Sequence, residues 1–312
     1  MANYLVTGGA GFIGSHLAVR LVEMGHSVRV LDNFSTGKRS NLDALVGRID
    51  LIEGDLRIPA DCRRACDDIE IVFHQAAIPS VPKSVEFPQD SHDANINGTF
   101  NLLTAAKDQR CRRVIYAASS SAYGDTQVSP KHEDLRPDPL SPYAAQKLAG
   151  EVYCRAFTEC YGLQTLSLRY FNVFGPRQDP ASQYAAAIPA FVTAILADTP
   201  PTVFGDGEQT RDFTYIENVV HGNVLAAGAP RTDGQVVNVA CGESISVNRV
   251  IARINELLDR NVRPVHVDPR PGDVRHSTAD IRRAAALLGF EPQVGFDEGL
   301  SQAIEYYRSI AD

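Results

Sequence analysis

The glycine-rich turn at the start of the chain constrains the fold more than any other feature. A strand-length run, Asn3–Thr7, leads directly into Gly8, Gly11 and Gly14, and a helix-length stretch, Phe12–Met24, overlaps the end of the turn. Glycines at this spacing allow a tight bend, a close approach of the backbone to a pyrophosphate, and close packing of helix on strand. The turn therefore predicts a dinucleotide site. An ordinary strand–turn–helix unit without a ligand is the alternative.

Strand-like and helix-length segments alternate over the first half of the chain. Further strands are predicted at Ser27–Asp32, Asp50–Glu53, Glu70–His74, Arg112–Ala118 and Gln164–Tyr170, and a further helix-length stretch at Gln89–Gln109. This alternation predicts an α/β fold with a doubly wound parallel (Rossmann-type) sheet. After about Asn172, clusters of Gly, Pro and Arg predict a smaller, loop-rich C-terminal substrate lobe. We expect a dinucleotide-binding domain over residues 1–171, to which segments near 212–240 return, and a substrate-binding lobe over 172–312.

The composition argues against several classes of function. The chain is 44% hydrophobic and 22% charged, as in globular proteins, and no apolar run reaches the roughly 18 residues of a membrane span. No basic segment typical of a secretion signal precedes the first strand, so we expect a cytoplasmic protein without a membrane partner. The net charge of -8 argues against nucleic acid as a partner. The six cysteines and eight histidines show no metal-ligand spacing, so we expect buried thiols and no metal site.

An acidic residue ends the second predicted strand. Asp32 follows Gly14 by eighteen residues. A carboxylate at this place accepts hydrogen bonds from the ribose 2′-hydroxyl of NAD and repels the 2′-phosphate of NADP. Lys38 and Arg39 lie six and seven residues further along, and we expect Asp32 to outweigh them. The sequence therefore favours NAD over NADP.

A tyrosine and a lysine stand four residues apart where a helix is expected to begin. Pro142 is a favourable first helical residue, so Tyr143 and Lys147 are predicted to share one helix face. An ammonium near a phenol lowers the phenol pKa, which lets the tyrosine take a proton from a substrate hydroxyl and return it. A solvated lysine beside a core tyrosine is the alternative.

Three serines end the strand that precedes this helix. A serine hydroxyl at the carboxyl edge of the sheet can bond to the reacting oxygen of a substrate. The spacing does not rank the candidates, and a serine-rich turn is the alternative; the three are Ser119, Ser120 and Ser121.

Taken together, these features resemble the extended short-chain dehydrogenase/reductase family. Four more segments resemble its UDP-hexose 4-epimerases, nearest the UDP-N-acetylglucosamine 4-epimerase group: His74–Ala77, Asn95–Thr99, Arg169–Gly175 and Arg211–Ile216. The resemblance spans nearly the whole chain. It implies an isomerase, an NAD-dependent 4-epimerase that interconverts UDP-GlcNAc with UDP-GalNAc and UDP-Glc with UDP-Gal through a transient 4-keto intermediate.

The resemblance also implies roles for individual residues. The catalytic residues would be Ser119, Tyr143 and Lys147. NAD would be held by Gly8, Gly11, Phe12, Ile13, Asp32, Asn33, Asp55, Leu56, Ala76, Ala77, Asn95, Tyr143, Lys147, Tyr170 and Val173. The UDP-sugar would be held by Ser80, Val81, Ser119, Ser120, Ser121, Tyr143, Asn172, Val203, Phe204, Arg211, Arg270, Asp273 and Ser277. The two arginines suit phosphate because a guanidinium offers paired donors, and surface salt bridges are their alternative role.

Three departures from other members of the resembled family bear on the reaction and its substrate. Ser120 and Ser121 stand where dehydratases carry acidic residues and decarboxylases usually carry a glutamate, which disfavours both activities. Ser277 stands where an aromatic residue narrows the pocket of epimerases restricted to plain hexoses, so we expect room for an N-acetyl group. Pro79 replaces a lysine that some glucose/galactose epimerases place near the nicotinamide.

Other activities stay open as alternatives. Within the resembled family these are a nucleotide-sugar dehydrogenase, reductase, dehydratase or decarboxylase. From another class, the alternative is a catalytically inactive nucleotide-binding module. The resemblance also suggests a homodimer through helices near 95–109 and 143–160, although apolar residues there, such as Leu102, Leu103 and Phe157, can equally belong to the core.

Overall fold

A computed structural model describes residues 2–180, 187–269 and 274–311. The strands in these ranges are β1 (Asn3–Thr7), β2 (Ser27–Asp32), β3 (Asp50–Glu53), β4 (Ile71–His74), β5 (Arg113–Ser119), β6 (Gln164–Tyr170), β7 (Val173–Phe174), β8 (Thr202–Phe204), β9 (Thr210–Arg211), β10 (Thr214–Tyr215), β11 (Gln235–Val239), β12 (Ile245–Ser246), β13 (Val265–Val267) and β14 (His276–Ser277). The α-helices are α1 (Phe12–Glu23), α2 (Pro59–Cys66), α3 (Val81–Glu86), α4 (Pro88–His92), α5 (Gly98–Asp108), α6 (Pro142–Tyr161), α7 (Ala187–Leu196), α8 (Ile216–Gly228), α9 (Val247–Leu258), α10 (Arg282–Leu288) and α11 (Phe296–Ala311).

Seven strands form the central sheet, in the order β11-β6-β5-β4-β1-β2-β3. Every neighbouring pair in this sheet is parallel. Parallel neighbours need crossover connections, which the intervening helices supply. The predicted α/β class with a doubly wound parallel sheet is confirmed.

Apolar side chains cover both faces of this sheet. Tyr4 and Val6 of β1 belong to one buried cluster, whereas Leu5 between them packs in another with Leu102 and Leu103 of α5. This alternation arises because successive side chains of a strand point to opposite faces. Leu102 and Leu103 are therefore core residues, as is Phe157 of α6.

The observed elements follow the predicted ones closely in the first half of the chain. Strands β4 and β5 begin one residue later than predicted, and β5 continues to Ser119, which pairs with Tyr170 of β6. The predicted helix-length stretch Gln89–Gln109 is divided into α4, a π-helical turn at Asp93–Asn97 and α5.

The second half of the chain forms small sheets and one returning strand. The small sheets pair β7 with β10, β8 with β13, and β9 with both β12 and β14. Strand β11 joins the central sheet beside β6, and α8 packs against β5, β6 and β11. The domain boundary between residues 171 and 172 stays a prediction.

Two further features concern the surface and the thiols. Within the described ranges, no helix is long and apolar enough to span a membrane, and no group of three metal-ligating residues gathers. Four cysteines are buried, but Cys160 is exposed and Cys241 is partly exposed. The expectation of buried thiols is therefore wrong for Cys160, which lies near the end of α6 on its solvent side.

Candidate active site

The strand order of the central sheet reverses between β1 and β4. Strand β1 leads to β2 and β3 on one side, whereas β4 leads to β5 and β6 on the other. The residues that follow these two strands meet at the edge of the sheet, where a Cβ atom on Gly8 would lie 2.7 Å from the Cα atom of Ala76. Open α/β sheets bind ligands in the crevice at such a point.

The glycine turn occupies this crevice in the conformation that its spacing predicts. Gly8 has a φ of +67°, which favours glycine, and a Cβ atom on Gly14 would lie 2.2 Å from the Gly8 carbonyl oxygen. Gly11 caps α1 without a side-chain hydrogen bond, so the first-turn N–H groups of the helix suit an anionic phosphate. The turn therefore fits the pyrophosphate of a dinucleotide.

The carboxylate of Asp32 lies beside this turn. It accepts hydrogen bonds from the backbone nitrogens of Ala10 (2.9 Å) and Phe34 (2.8 Å). Burial raises its pKa, and these two bonds act in the opposite direction. The cations that follow in sequence have other partners, because Lys38 lies 3.5 Å from Asp179 and Arg39 is paired with Glu53. Asp32 thus remains the dominant charge at the end of β2, which fits NAD better than NADP.

Two more predicted cofactor residues meet at the ends of β2 and β3. The Asn33 amide nitrogen donates to an Asp55 carboxylate oxygen at 2.9 Å. The pKa of Asp55 is lowered to about 2, chiefly by its bonds with Arg57, so Asp55 is ionised at neutral pH. Leu56 beside it is buried.

Helix α6 places the predicted tyrosine and lysine against the end of β5. The Ser141 hydroxyl accepts from the Ala144 nitrogen at 3.2 Å and so caps the helix, whose first residue is Pro142. The Nζ atom of Lys147 donates to the carbonyl oxygen of Ala117 at 2.8 Å. The Ser119 hydroxyl, two residues further along β5, interacts with the phenol of Tyr143. Ser119, Tyr143 and Lys147 therefore converge at the carboxyl end of β5.

The electrostatics of this group differ from the prediction. Burial raises the pKa of Tyr143, and the Ser119 hydroxyl opposes this rise. The ammonium of Lys147 bonds to the carbonyl oxygen of Ala117 and lies 5.0 Å from the ring centre of Tyr116. Burial lowers the pKa of Lys147 itself to about 8. The rise in the Tyr143 pKa is opposite in direction to the lowering that the four-residue spacing predicted.

The three candidate serines are distinguished by their contacts. The Ser119 and Ser121 hydroxyls lie 2.8 Å apart, and the Ser119 oxygen also accepts from the Ser121 nitrogen at 3.2 Å. Ser120 begins a short 3₁₀ turn. Ser119 is the member with an interaction to the Tyr143 phenol.

Two residues predicted to hold the cofactor make their described polar contacts with other protein groups. The Asn95 amide accepts from the Ile78 nitrogen at 2.8 Å and donates to the Gln146 side chain at 2.8 Å. The Tyr170 hydroxyl accepts from the Asn223 amide at 2.8 Å. Gln146 and Asn223 were not predicted, and the signal for Gln146 is its position between Tyr143 and Lys147. The remaining predicted neighbours of the cofactor are all partly exposed: Phe12, Ile13, Ala77 and Val173.

A second group of predicted residues gathers around β9. Arg211 of β9 pairs with Ser277 of β14, whose carbonyl oxygen accepts from the Asp212 nitrogen at 2.8 Å. The Asn172 amide donates to the Asp212 carbonyl oxygen at 3.2 Å. The structure therefore brings Asn172, Arg211 and Ser277 together, whereas Arg270 and Asp273 lie outside the described residues.

Strand β8 contributes the predicted uracil neighbours. Val203 is buried, and the carbonyl oxygen of Phe204 accepts from the Gln209 side chain at 2.7 Å. Gln209 immediately precedes β9, so this bond ties β8 to the Arg211 strand.

The two remaining substrate candidates lie at the start of α3. The Ser80 hydroxyl caps this helix by accepting from the Lys83 nitrogen at 3.2 Å, and Val81 is exposed.

Asp212 was not assigned a role from the sequence. Its buried carboxylate accepts from three backbone nitrogens, those of Cys241 (3.0 Å), Gly242 (2.9 Å) and Ala279 (3.0 Å). Burial raises its pKa to about 6, although these bonds oppose the rise. The signal that could have found it is an acid directly after the predicted phosphate-binding arginine.

A switch-point crevice with a glycine turn, and a Tyr-x-x-x-Lys helix beside it, define a dinucleotide-dependent enzyme of the short-chain dehydrogenase/reductase type. A family model described as the NAD dependent epimerase/dehydratase family matches residues 4–240. The chain belongs to this family, which confirms the resemblance and the NAD cofactor.

The most similar proteins include several named 4-epimerases. The UDP-glucose 4-epimerase of Mycolicibacterium smegmatis is 37% identical over 98% of this chain and 98% of its own length. A solved UDP-N-acetylglucosamine 4-epimerase from Methanobrevibacter ruminantium M1, in complex with UDP-N-acetylmuramic acid, is 40% identical over 99% of both chains with a TM-score of 0.95. The UDP-glucose 4-epimerase from Thermotoga maritima with UDP-glucose is 37% identical over 99% of this chain and 100% of its own, also with a TM-score of 0.95. These relatives are isomerases, which confirms the predicted class of enzyme.

Other relatives carry different names. One from Thermodesulfobacterium geofontis is a UDP-glucuronate 4-epimerase, 34% identical over 98% of this chain and 96% of its own. One from Bacillus cytotoxicus is a UDP-N-acetyl-alpha-D-glucosaminuronate decarboxylase, 32% identical over 98% of each. Membership of the family therefore does not by itself identify the sugar on which this enzyme acts.

Proposed function

We propose that this enzyme is an NAD-dependent 4-epimerase of UDP-hexoses that accepts both N-acetylated and plain sugars. The observation that carries the proposal is the convergence of Ser119, Tyr143 and Lys147 at the carboxyl end of β5, beside the switch-point crevice. The named 4-epimerases among its relatives support the same reaction.

The crevice would hold NAD through groups already described. The turn at Gly8–Gly14 would bind the pyrophosphate, Asp32 the adenosine ribose, and Lys147 the nicotinamide ribose. The chemistry that bound NAD supplies is reversible hydride transfer.

The chain's own residues would handle the proton. The protonated form of the Tyr143 phenol, which the rise of its pKa on burial favours, would donate a proton to a 4-keto sugar. The reverse step, removal of the 4-hydroxyl proton, needs the phenolate, which the ammonium of Lys147 favours by its positive charge. The Ser119 hydroxyl would orient the same sugar oxygen by a hydrogen bond.

The group around β9 would anchor the UDP portion. Arg211 suits a phosphate because its planar guanidinium offers paired donors. Asn172 and the β8 backbone at Val203 and Phe204 would hold the remainder, and we propose that Arg270 and Asp273 contribute as well. Anchoring UDP leaves the sugar free to turn over within the site, which a change of configuration at C4 requires.

We also propose a small side chain at the sugar pocket as the basis of the broad specificity. Ser277 adjoins Arg211 across β9 and β14. A serine takes little space beside the sugar, so an N-acetyl group at C2 can be accommodated. Ser120 and Ser121 offer hydroxyls rather than carboxylates, which disfavours a dehydratase or decarboxylase.

The exposed face of α5 and α6 supports a homodimer. Phe100 and Tyr153 are 44% and 37% exposed, and their ring centres lie 5.4 Å apart. Tyr161 and Val152 on α6 are also exposed. An exposed aromatic patch of this kind is typical of an interface.

A two-substrate assay tests the proposal. The enzyme with NAD is incubated separately with UDP-GlcNAc and UDP-Glc, and the products are identified by proton NMR. Formation of both C4 epimers without net accumulation of NADH is expected. Binding without conversion, or steady NADH release, would contradict it.

A further inference from the structure

Beneath the Tyr143–Lys147 pair lies a buried ion pair without a role in the proposed reaction. The carboxylate of Glu151 on α6 accepts two bonds from the guanidinium of Arg169 on β6, from Nε at 2.8 Å and from Nη2 at 2.7 Å. The two side chains are only 4% and 3% exposed. A buried pair of this kind seldom stabilises a fold more than an apolar pair would, so its presence calls for another reason.

The pair lies on the same helix face as the catalytic candidates. Tyr143, Lys147 and Glu151 follow one another at four-residue spacing, and such residues are neighbours on one face of a helix. Glu151 is therefore the next group beyond Lys147 along this face. Burial lowers the pKa of Lys147, and its neighbours Cys154 and Glu151 act to raise it.

Arg169 holds the Glu151 carboxylate from β6, a strand against which α6 packs. Its guanidinium lies 4.4 Å from the ring centre of Tyr123, and Tyr123 in turn donates to the Asn238 side chain at 2.7 Å. The two bonds from Arg169 therefore fix the Glu151 carboxylate on α6, one helical turn beyond Lys147.

The other groups that face Lys147 do not change charge in the neutral range. The pKa of His74 on β4 is lowered to about 3 by burial, and burial raises those of Tyr116 on β5 and Cys154 on α6, the latter to about 12. Burial likewise raises the pKa of the Tyr143 phenol. Glu151 is the carboxylate one helical turn from the ammonium, and although burial raises its pKa, the bonds from Arg169 act to lower it and so favour the charged form.

We propose that Glu151 is a positioning residue for Lys147, held by Arg169 so that its carboxylate keeps the buried lysine protonated and directed at the end of β5. This inference rests on the proposed function, in which Lys147 acts on the Tyr143 phenol. In addition, a carboxylate eight residues beyond Tyr143 sets the protonation state of Lys147 in the enzyme.

The test measures the protonation of Lys147 directly, without turnover. The chain has five lysines, so protein labelled with ¹³C at lysine Cε and saturated with NAD gives few signals. The Lys147 signal is identified by its loss in Lys147→Arg, and its shift is followed against pH. In Glu151→Gln the midpoint is expected to fall by about one pH unit or more.

Two variants separate electrostatics from structure. Glu159→Gln removes the same charge from an exposed site on the same helix and is expected to leave the midpoint unchanged. Glu151→Gln/Arg169→Gln replaces the ion pair by a neutral hydrogen-bonded pair, and the lowered midpoint is expected to persist. If Glu151→Gln does not fold, this double variant carries the test.

Two outcomes would overturn the inference. One is a Glu151→Gln midpoint equal to that of the unaltered protein. The other is a double variant that restores the original midpoint, which would show that the shift in Glu151→Gln came from the unpaired charge of Arg169. Failure of the unaltered enzyme to epimerise any UDP-hexose would reject the proposed function instead, and the titration would still report on Glu151.

Discussion

The ammonium of Lys147 donates to the carbonyl oxygen of Ala117 at 2.8 Å, so the lysine is anchored to the end of β5 rather than to the tyrosine one turn before it. This bond places a positive charge at the edge of the sheet while the side chain remains buried. The cost of that burial appears as a pKa lowered to about 8.

The activity should therefore fall on the alkaline side of about pH 8. The pKa of Lys147 is lowered, so the ammonium is present below pH 8 and is lost as the pH rises through it. Above about pH 8 we expect kcat/KM to fall by about tenfold per pH unit, because the fraction of Lys147 that is protonated falls at this rate. A pH–rate profile measures this. Lys107→Met serves as the control. Lys107 is an ion-paired residue near the end of α5, so this variant should show the same alkaline fall in its pH–rate profile as the unaltered enzyme. A profile that stays level well above pH 9 would contradict the assignment.

Removal of the Asp32 carboxylate should weaken NAD binding and reduce the discrimination against NADP. A hydrogen bond to a charged group contributes about 1.5–3 kcal/mol, so Asp32→Ala should raise the Kd for NAD by about tenfold or more. The loss of negative charge should also bring the Kd for NADP closer to the Kd for NAD. Calorimetry with both cofactors measures the two constants, with Asp50→Ala on exposed β3 as the control. An unchanged ratio of the two constants would exclude Asp32 as the selective residue.

A bulky side chain at position 277 should reduce the activity on N-acetylated UDP-hexoses more than the activity on plain ones. Ser277 is held beside Arg211 by the bond from the Asp212 nitrogen, so a tyrosine there cannot easily move away. We expect Ser277→Tyr to lose at least about tenfold in kcat/KM for UDP-GlcNAc while retaining UDP-Glc activity. Ser277→Ala should keep both activities. If the tyrosine variant keeps its activity on the N-acetylated sugar, the size of this residue does not set specificity.

A charge on the exposed face of α5 and α6 should break the homodimer. Tyr153→Glu introduces an unpaired carboxylate into a patch that the dimer would bury, which is unfavourable. Light scattering after size exclusion should show a dimer for the unaltered chain and a monomer for the variant. Val46→Glu, at a highly exposed residue elsewhere, should remain dimeric. A monomeric unaltered chain at micromolar concentration would refute this interface.

The central sheet could be predicted because its strands carry local signals. Strands β1, β2, β3 and β6 have the predicted bounds. In β1 the signal is an apolar run, because this central strand is covered on both faces. The division of the stretch 89–109 at a π-helical turn was not predicted, because its helical pattern continues across the turn. The bounds of the short strands after residue 172 were not predicted either, since they depend on pairing between distant segments.

The sequence motifs predicted which residues form the site, but not which charged groups pair with each other or how their pKa values shift. The spacing of Tyr143 and Lys147 indicated a shared helix face, but it could not show that Ala117 takes the ammonium. The pairing of Glu151 with Arg169 joins a helix to a strand eighteen residues away, and a sequence gives no sign of which acid meets which base. Burial, which sets the pKa values of these groups, is a property of the folded chain alone.

The acid–base role of Tyr143 is tested most directly by the kcat of Tyr143→Phe. This variant removes only the phenolic hydroxyl and keeps the aromatic ring at the start of α6. We expect kcat for UDP-hexose epimerisation to fall by about 10²–10⁴-fold, with the affinity for UDP and for NAD within a few fold of the unaltered enzyme. A kcat within a few fold of the unaltered value would show that another group moves the proton and would contradict the proposed mechanism.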